Sequence, residues 1–392
     1  MKKTYFTAES VTAGHPDKVA DKIADAILDA TLTIDPDAHT GIEVAVTTDF
    51  VLVMGEISAS GYPDVEKIVR ETVREIGYDR DGEGFSADTV KIDVRLHRQS
   101  PDIAQGVNRS LEAESGDKYD LTGAGDQGMM FGFATNETES LMPMGIVLAH
   151  ALTKRLEEAR KDGSVPFLRP DGKAQVSLEY QDGKVNRIDC IVVSTQHEES
   201  ADIETVRKAV KEQIIDRTVP QNLIDRDTKI LINPTGRFVV GGPHGDSGLT
   251  GRKLIVDSYG SYACHGGGAT SGKDPSKVDR SSAYFARYAA KNIVAAGLAD
   301  KVQLQVAYAI GKARPVSLEV NTFGTGKVSD EKIAAAVAKV FDFRPAAVIE
   351  TLGLKNPIYK STTNYGAFGK PDMPWERTDK TSELLKVLNG GN

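Results

Sequence analysis

Cysteine is scarce in this chain of 392 residues: there are two, Cys190 and Cys264, far apart in sequence. That excludes a disulfide framework and a cysteine-built zinc site. Cys190 lies in the apolar run Ile-Asp-Cys-Ile-Val-Val and reads as a buried strand residue; Cys264 precedes a glycine-rich loop and is read as a bystander. Long apolar runs are also missing. The start, Met-Lys-Lys-Thr-Tyr-Phe-Thr, lacks the apolar stretch of a signal peptide, and nothing approaches the roughly 20 apolar residues of a membrane span. A cytoplasmic protein with no membrane partner is expected. Positive charge is in deficit, 48 Lys and Arg against 56 Asp and Glu, for a net charge of −8. Nucleic-acid surfaces work mainly by neutralising phosphates, so a general one is excluded. What remains is an ordinary globular composition, 40% hydrophobic and 27% charged, on a chain long enough for two or three cores.

Against the overall deficit, positive charge is concentrated in one region: Arg252, Lys253, Lys273, Lys277 and Arg280. Three of these lie in residues 265–282, His-Gly-Gly-Gly-Ala-Thr-Ser-Gly-Lys-Asp-Pro-Ser-Lys-Val-Asp-Arg-Ser-Ser. Consecutive glycines allow close backbone approach to a ligand, and bare amides with lysines suit a polyphosphate. Gly267, Gly272 and Lys273 approach a P-loop, but Asp274 stands where a Ser or Thr should bind magnesium. A Walker-type fold is therefore not expected, and a surface loop with solvated charges is the plain alternative.

Three further motifs accompany this loop. Glu-Ser-Val-Thr-Ala-Gly-His-Pro-Asp-Lys occupies 9–18, and Gly-Ala-Gly-Asp-Gln-Gly occupies 123–128. Ile-Asn-Pro-Thr-Gly-Arg-Phe (232–238) runs into Gly-Gly-Pro-His-Gly-Asp-Ser-Gly-Leu-Thr-Gly-Arg-Lys (241–253). With these motifs in this order, the chain closely resembles the S-adenosylmethionine synthetase (methionine adenosyltransferase) family from about Phe6 to Trp375. The resemblance implies attack of the methionine sulfur on the ribose C5′ of ATP. Departure of tripolyphosphate, and its hydrolysis to phosphate and pyrophosphate, would follow.

The same order of elements recurs three times. A helix opening at Pro16 precedes strands at 42–48 and 50–58, a helix at 63–76 and a strand at 89–98. A helix at 143–161 precedes a hairpin, 174–180 and 187–195, turning at Gln181-Asp182-Gly183-Lys184. A helix at 202–216 and a strand at 229–233 follow. The last third predicts a helix at 281–296, strands at 302–310 and 315–322, and a helix at 330–342. We expect an α+β protein of three similar domains, each a mostly antiparallel sheet with helices on one face. The boundaries fall at 1–100, 123–240 and 241–392, with residues 101–122 a loop read as an active-site lid. The resemblance adds a pseudo-threefold axis, with chain segments crossing between domains.

The resemblance also assigns the site. His15 corresponds to the residue that donates toward the departing oxygen, while Asp17 and Asp279 correspond to the ligands of two magnesium ions. Lys173 and Asp171 fall on the nucleotide, Arg237 and Phe238 around the adenosine. Arg252, Lys253, Ala269 and Lys273 correspond to the tripolyphosphate contacts. Asp246 borders both substrates; Glu56, Gln99, Asp126 and Lys277 fall around methionine, and Glu43 on a potassium ion. Without the resemblance, His15 and Asp17 read as an ordinary helix cap and its dipole partner. Phe238 would be core and Glu43 a solvated charge. His39, His97, His150, His197 and His244 are read as structural, and Met129 and Met130 as core. A homodimer or a dimer of dimers with shared active sites is implied. A kinase-like ATPase and a non-catalytic nucleotide-sensing module remain as alternatives.

Overall fold

The structure, a computed structural model, describes residues 2–98 and 110–390. Its first third contains β1 (Lys3–Val11), α1 (Pro16–Ile34), β2 (His39–Thr47), β3 (Phe50–Ser58), α2 (Val65–Ile76) and β4 (Lys91–His97). The middle third repeats the order with β5 (Gly128–Thr135), α3 (Met144–Lys161), β6 (Leu168–Gln181), β7 (Lys184–His197), α4 (Ile203–Ala209) and β8 (Lys229–Ile232). The last third has β9 (Gly248–Leu249), α5 (Val278–Ala295), β10 (Lys301–Tyr308), β11 (Ser317–Asn321) and α6 (Asp330–Val340). The α+β expectation holds, with three antiparallel-rich sheets and helices packed against them.

Each hairpin has a local cause. Between β6 and β7, Asp182 and Gly183 both take positive φ, 49° and 83°, the mirror-image turn that matches strand twist. The strands β4 and β8 then add in parallel to β3 and β7, returning through α2 and through the helical segment beginning at α4. One expectation needs correction. The helix anticipated at 202–216 is α4 followed by a π-helical stretch at Val210–Ile215 and a last turn at Asp216–Thr218.

The sheets exchange strands in a cycle. β1 pairs antiparallel with β6 in the middle sheet, β5 with β10 in the last sheet, and β9 with β2 in the first. In each case the strand ahead of a unit's leading helix joins another unit's sheet, so each unit is stapled to the next. Three hydrophobic cores lie under these sheets, around Val19–Ile23–Val53, Leu152–Val176–Ile214 and Phe285–Leu304–Trp375. Met130 is buried as anticipated, but Met129, its neighbour on β5, is 48% exposed. Successive strand residues face opposite sides, so both could not enter one core.

The connection at 101–122 is described from residue 110 onward. Its described portion, 110–122, forms short turns at Ala113–Ser115 and Lys118–Asp120. Arg344 holds Asp117 at 2.7 Å and Asp120 at 2.9 Å, and Lys118 reaches Glu350 at 2.9 Å. That portion is anchored rather than free, and the remainder of the expected lid lies outside the described residues.

Candidate active site

Pro16 is preset for a first helical turn, so α1 begins there, and its N-cap is His15. The His15 ring accepts the Asp17 amide through Nδ1 at 3.2 Å. Burial, with the charges of Lys253 and Lys173 adding to it, brings its pKa down to about 3. The ring is therefore neutral, its proton is on Nε2, and it can serve as a donor. Asp17 is buried, which opposes its ionisation. Lys253 Nζ at 2.6 Å and the Leu249 amide at 3.1 Å nevertheless hold its pKa below the ordinary value. Arg252 stands 3.6 Å from the same carboxylate. Gly248 has to be glycine at this position, because a Cβ would lie 2.1 Å from the Pro16 carbonyl carbon.

Lys173 reaches this group from β6, where it pairs with Val11 of β1, the strand that leads into His15. Two residues earlier, Asp171 is buried and accepts the Gly242 amide at 2.9 Å, bracing the turn Gly242–Gly245 that ends at Asp246. Burial pushes the Asp171 pKa up to about 6; the Gly242 amide and Lys173 oppose this, while Asp246 adds to it. Its Oδ1 has no hydrogen-bond partner among the described residues. A buried, unsatisfied carboxylate oxygen is costly and suits a ligand donor.

A second group forms around the glycine-rich loop. Lys273 Nζ meets Asp279 at 2.6 Å, and Gly268 packs so closely that a Cβ would fall 2.0 Å from Asp279 Oδ1. The Gly128 end of the Gly-Ala-Gly-Asp-Gln-Gly motif approaches the same carboxylate. Gly41, bridged to Lys273, brings β2 and the facing Glu56 of β3 alongside. Ala269 lies against Gly251, which joins the loop to the Arg252 segment. Asp274 turns inward, accepting the Thr40 and Ser276 amides at 2.7 and 2.8 Å and Lys277 at 2.7 Å. No Walker helix begins here, as the acid at 274 foretold.

A feature of α1 escaped the sequence reading. Asp17, Asp21, Asp25 and Asp29 recur every fourth residue and share a face. They accept, in order, the amides of Leu249, Gly251, Gly272 and the Tyr359–Lys360 pair. Asp25 also accepts from the fully buried Arg280, whose Nη2 reaches both carboxylate oxygens at 2.8 and 2.6 Å while its Nη1 donates to the Lys273 carbonyl at 2.8 Å. The helix thus sets the positions of both cation-bearing loops. The four-residue spacing was present in the sequence, but aspartates at that spacing more often mark a solvated face.

The other expected residues make local or surface contacts. Arg237 pairs with Glu199 at the surface, 2.5 Å away. Phe238 is half-buried and hydrogen-bonds to His197 through its backbone amide, at 3.1 Å. Asp126 is exposed and accepts the Gln127 amide; Lys277 points to Asp274. Gln99 lies outside the described residues. Glu43 accepts the Thr250 hydroxyl. Asp17 and Asp279 each already face an ammonium group, so both positions favour cations. Among the described residues no three carboxylate, histidine or cysteine groups converge as a metal cage. Single carboxylates completed by substrate phosphates are the usual magnesium arrangement, and these two residues fit it.

Comparison with known proteins bears on the whole chain. Residues 3–101 match the N-terminal domain of S-adenosylmethionine synthetase, residues 121–238 its central domain, and residues 240–377 its C-terminal domain. An S-adenosylmethionine synthase from Clostridium botulinum (strain Alaska E43 / Type E3) is 58% identical over 390 residues, covering 98% of this chain and 100% of the relative. No helix among the described residues is long and apolar enough to cross a membrane. On these matches over nearly its full length, the chain belongs to the S-adenosylmethionine synthetase family and is a methionine adenosyltransferase.

Proposed function

We propose that the reaction proceeds by direct attack of the methionine sulfur on the ribose C5′ of ATP, with the whole tripolyphosphate as leaving group. A neutral thioether needs no deprotonation, so no general base is required. Catalysis rests on donors and cations aimed at the charge that leaves. His15, neutral and protonated on Nε2, donates toward O5′ as the bond to C5′ breaks; the hydrogen bond that fixes this tautomer is the observation carrying the reading. Lys173, Arg252, Lys253 and Lys273 bind the phosphates. Asp17 and Asp279 would hold two magnesium ions, which would neutralise the tripolyphosphate during its departure and subsequent hydrolysis to phosphate and pyrophosphate. Glu43 would hold a potassium ion.

Asp171, Arg237, Phe238, Asp246 and Ala269 surround the nucleotide, and Glu56, Gln99, Asp126, Asp246 and Lys277 the amino acid. The chain divides near 100, 122 and 240 into three domains and a connection; the three matched stretches begin and end close to these positions. It works in the cytoplasm as a homodimer or dimer of dimers.

Mass spectrometry of products formed from ATP, methionine, magnesium and potassium tests the reaction. Methionine-dependent S-adenosylmethionine with phosphate and pyrophosphate is expected. Adenosine diphosphate as the product would instead establish a kinase-like enzyme.

A further inference from the structure

The helix α2 ends at Gly77, whose φ of 109° turns the chain so that the Tyr78 amide returns to the Val73 carbonyl at 3.2 Å. The Tyr78 carbonyl accepts the Ala87 amide at 2.9 Å. Phe85 meets the tyrosine ring edge-on, with centroids 5.5 Å apart. Backbone and ring are therefore fixed, and the buried side chain extends toward the turn that precedes α1. There its hydroxyl donates to the Gly14 carbonyl at 2.5 Å. Burial, with the charge of Asp171 adding to it, holds the phenol pKa well above its ordinary value, so the hydroxyl keeps its proton and remains a donor.

That carbonyl belongs to the peptide joining Gly14 to His15. The amide of the same peptide donates to the Thr12 carbonyl at 3.1 Å. A peptide unit is planar, so holding it at both ends sets the plane from which the His15 side chain departs. Its surroundings leave no slack. At Gly14 a Cβ would lie 2.3 Å from the Pro170 carbonyl oxygen, which already accepts the Thr12 hydroxyl at 2.7 Å. Room for the Tyr78 hydroxyl comes from Gly242, where a Cβ would fall 2.1 Å from the phenol oxygen. Gly242 is also the residue whose amide Asp171 accepts. One tyrosine thus touches the turn that carries His15 and the turn that Asp171 braces.

We propose that Tyr78 is a positioning residue for adenosyl transfer: its hydroxyl fixes the Gly14–His15 peptide so that the His15 ring meets the departing oxygen, an assignment that rests on His15 being the donor toward O5′. Tyr78 acts through His15 rather than on the reacting atoms. Hydrolysis of tripolyphosphate breaks a P–O bond and does not use that donor, so the hydroxyl contributes to S-adenosylmethionine formation alone.

Single-turnover S-adenosylmethionine formation and hydrolysis of added tripolyphosphate, measured on full-length Tyr78→Phe, test this; the variant removes one oxygen and keeps the packed ring. The first rate should fall roughly three- to tenfold, the scale of one buried hydrogen bond, and the second by less than about twofold. Made in His15→Asn, Tyr78→Phe should change neither rate by more than about twofold, because the group it positions is gone. Tyr308→Phe takes a buried hydroxyl from the Phe343 carbonyl at 2.6 Å, a loss of the same kind away from His15, and should leave the ratio of the two rates unaltered. Equal losses of both activities in Tyr78→Phe, an unchanged first rate, a full additional loss in the His15→Asn background, or the same split in Tyr308→Phe would each overturn the proposal. Failure of the donor role itself shows separately, as equal losses of the two activities in His15→Asn alone.

Discussion

A histidine whose ring stays neutral can donate a proton's share of a hydrogen bond but cannot carry charge, and that limits what His15 does. Charge develops on O5′ only while the C5′–O5′ bond breaks, whereas hydrolysis of tripolyphosphate breaks a P–O bond. His15→Asn should therefore slow S-adenosylmethionine formation by roughly 10²- to 10³-fold, the scale of losing one transition-state donor. Hydrolysis of added tripolyphosphate should fall far less, while Lys273→Ala should damage both steps. Equal losses of the two activities in His15→Asn would reduce His15 to the cap of α1. Asp171 gives a second test at this scale. Its ordinary pKa of 3.8 is raised to about 6 by burial. Below pH 3.8 the carboxyl is protonated in both states. Between 3.8 and 6 the unfolded chain releases the proton first, so stability falls as pH rises through that window. The cost above pH 6 is about 3 kcal/mol. Asp171→Asn should then shift the denaturation midpoint upward at pH 7.5 and leave it nearly unchanged at pH 4. A shift of the same size at both values would refute the assigned titration. His15, Asp17 and the loop lysines were legible as residues because their motifs place charged and glycine residues together. The orphan oxygen of Asp171 was not legible, since it depends on the turn at Gly242–Gly245 folding over β6.

At the scale of elements, the leading helices and hairpins were readable from periodicity and from turn residues such as Asp182-Gly183. Strand exchange was not readable from pattern, because β1, β5 and β9 find partners more than a hundred residues away. The same limit hid the function of α1. Its aspartates every fourth residue resemble a solvated stripe until the loops at 249–251 and 272 are laid along them. The consequence is mechanical: Asp25 and Arg280 together fix the Gly272–Lys273 backbone from inside the protein. Breaking one side of such a buried pair leaves an unpaired charge and costs about 3–5 kcal/mol. Asp25→Ala and Arg280→Ala should each lower stability on that scale, by denaturant unfolding. The double variant should cost less than the sum, with a coupling of about 1–3 kcal/mol. Additive losses would show that the two groups act independently and that the clamp on Lys273 is not a unit.

For the whole molecule, the arrangement along α1 bears on how many chains make one site. Asp17, with His15 and Lys253, and Asp25, with Gly272 and the Lys273 loop, are eight residues apart on one helix, about 12 Å along its axis. Within one chain, no ion pair among the described residues joins His15, Asp17 or Lys253 to Lys273 or Asp279, although Ala269 of the glycine-rich loop lies against Gly251. The three sheets meanwhile present exposed apolar side chains, Met54 and Val94 on the first, Leu231 on the second and Met129 on the third. We propose that a second copy covers these faces and sets its Lys273 group opposite the His15 group of the first. Subunit complementation tests this, and the groups dictate the pair of variants. Lys273 and Asp126 belong to the same group, since the Gly128 end of the Asp126 motif approaches the Asp279 carboxylate that Lys273 holds. Combining Lys273→Ala with Asp126→Asn should therefore restore nothing. Lys173→Ala, which damages the other group, should complement Lys273→Ala. A mixed dimer then contains one site with both defects and one with neither. After subunit exchange at equal amounts, half the chains pair as mixed dimers, so about one quarter of the sites are intact. Activity near a quarter of the parent's is expected, rising from near zero on mixing. No recovery with Lys173→Ala, or full activity in a monomeric fraction, would place both groups in one chain's site and remove the need for a partner.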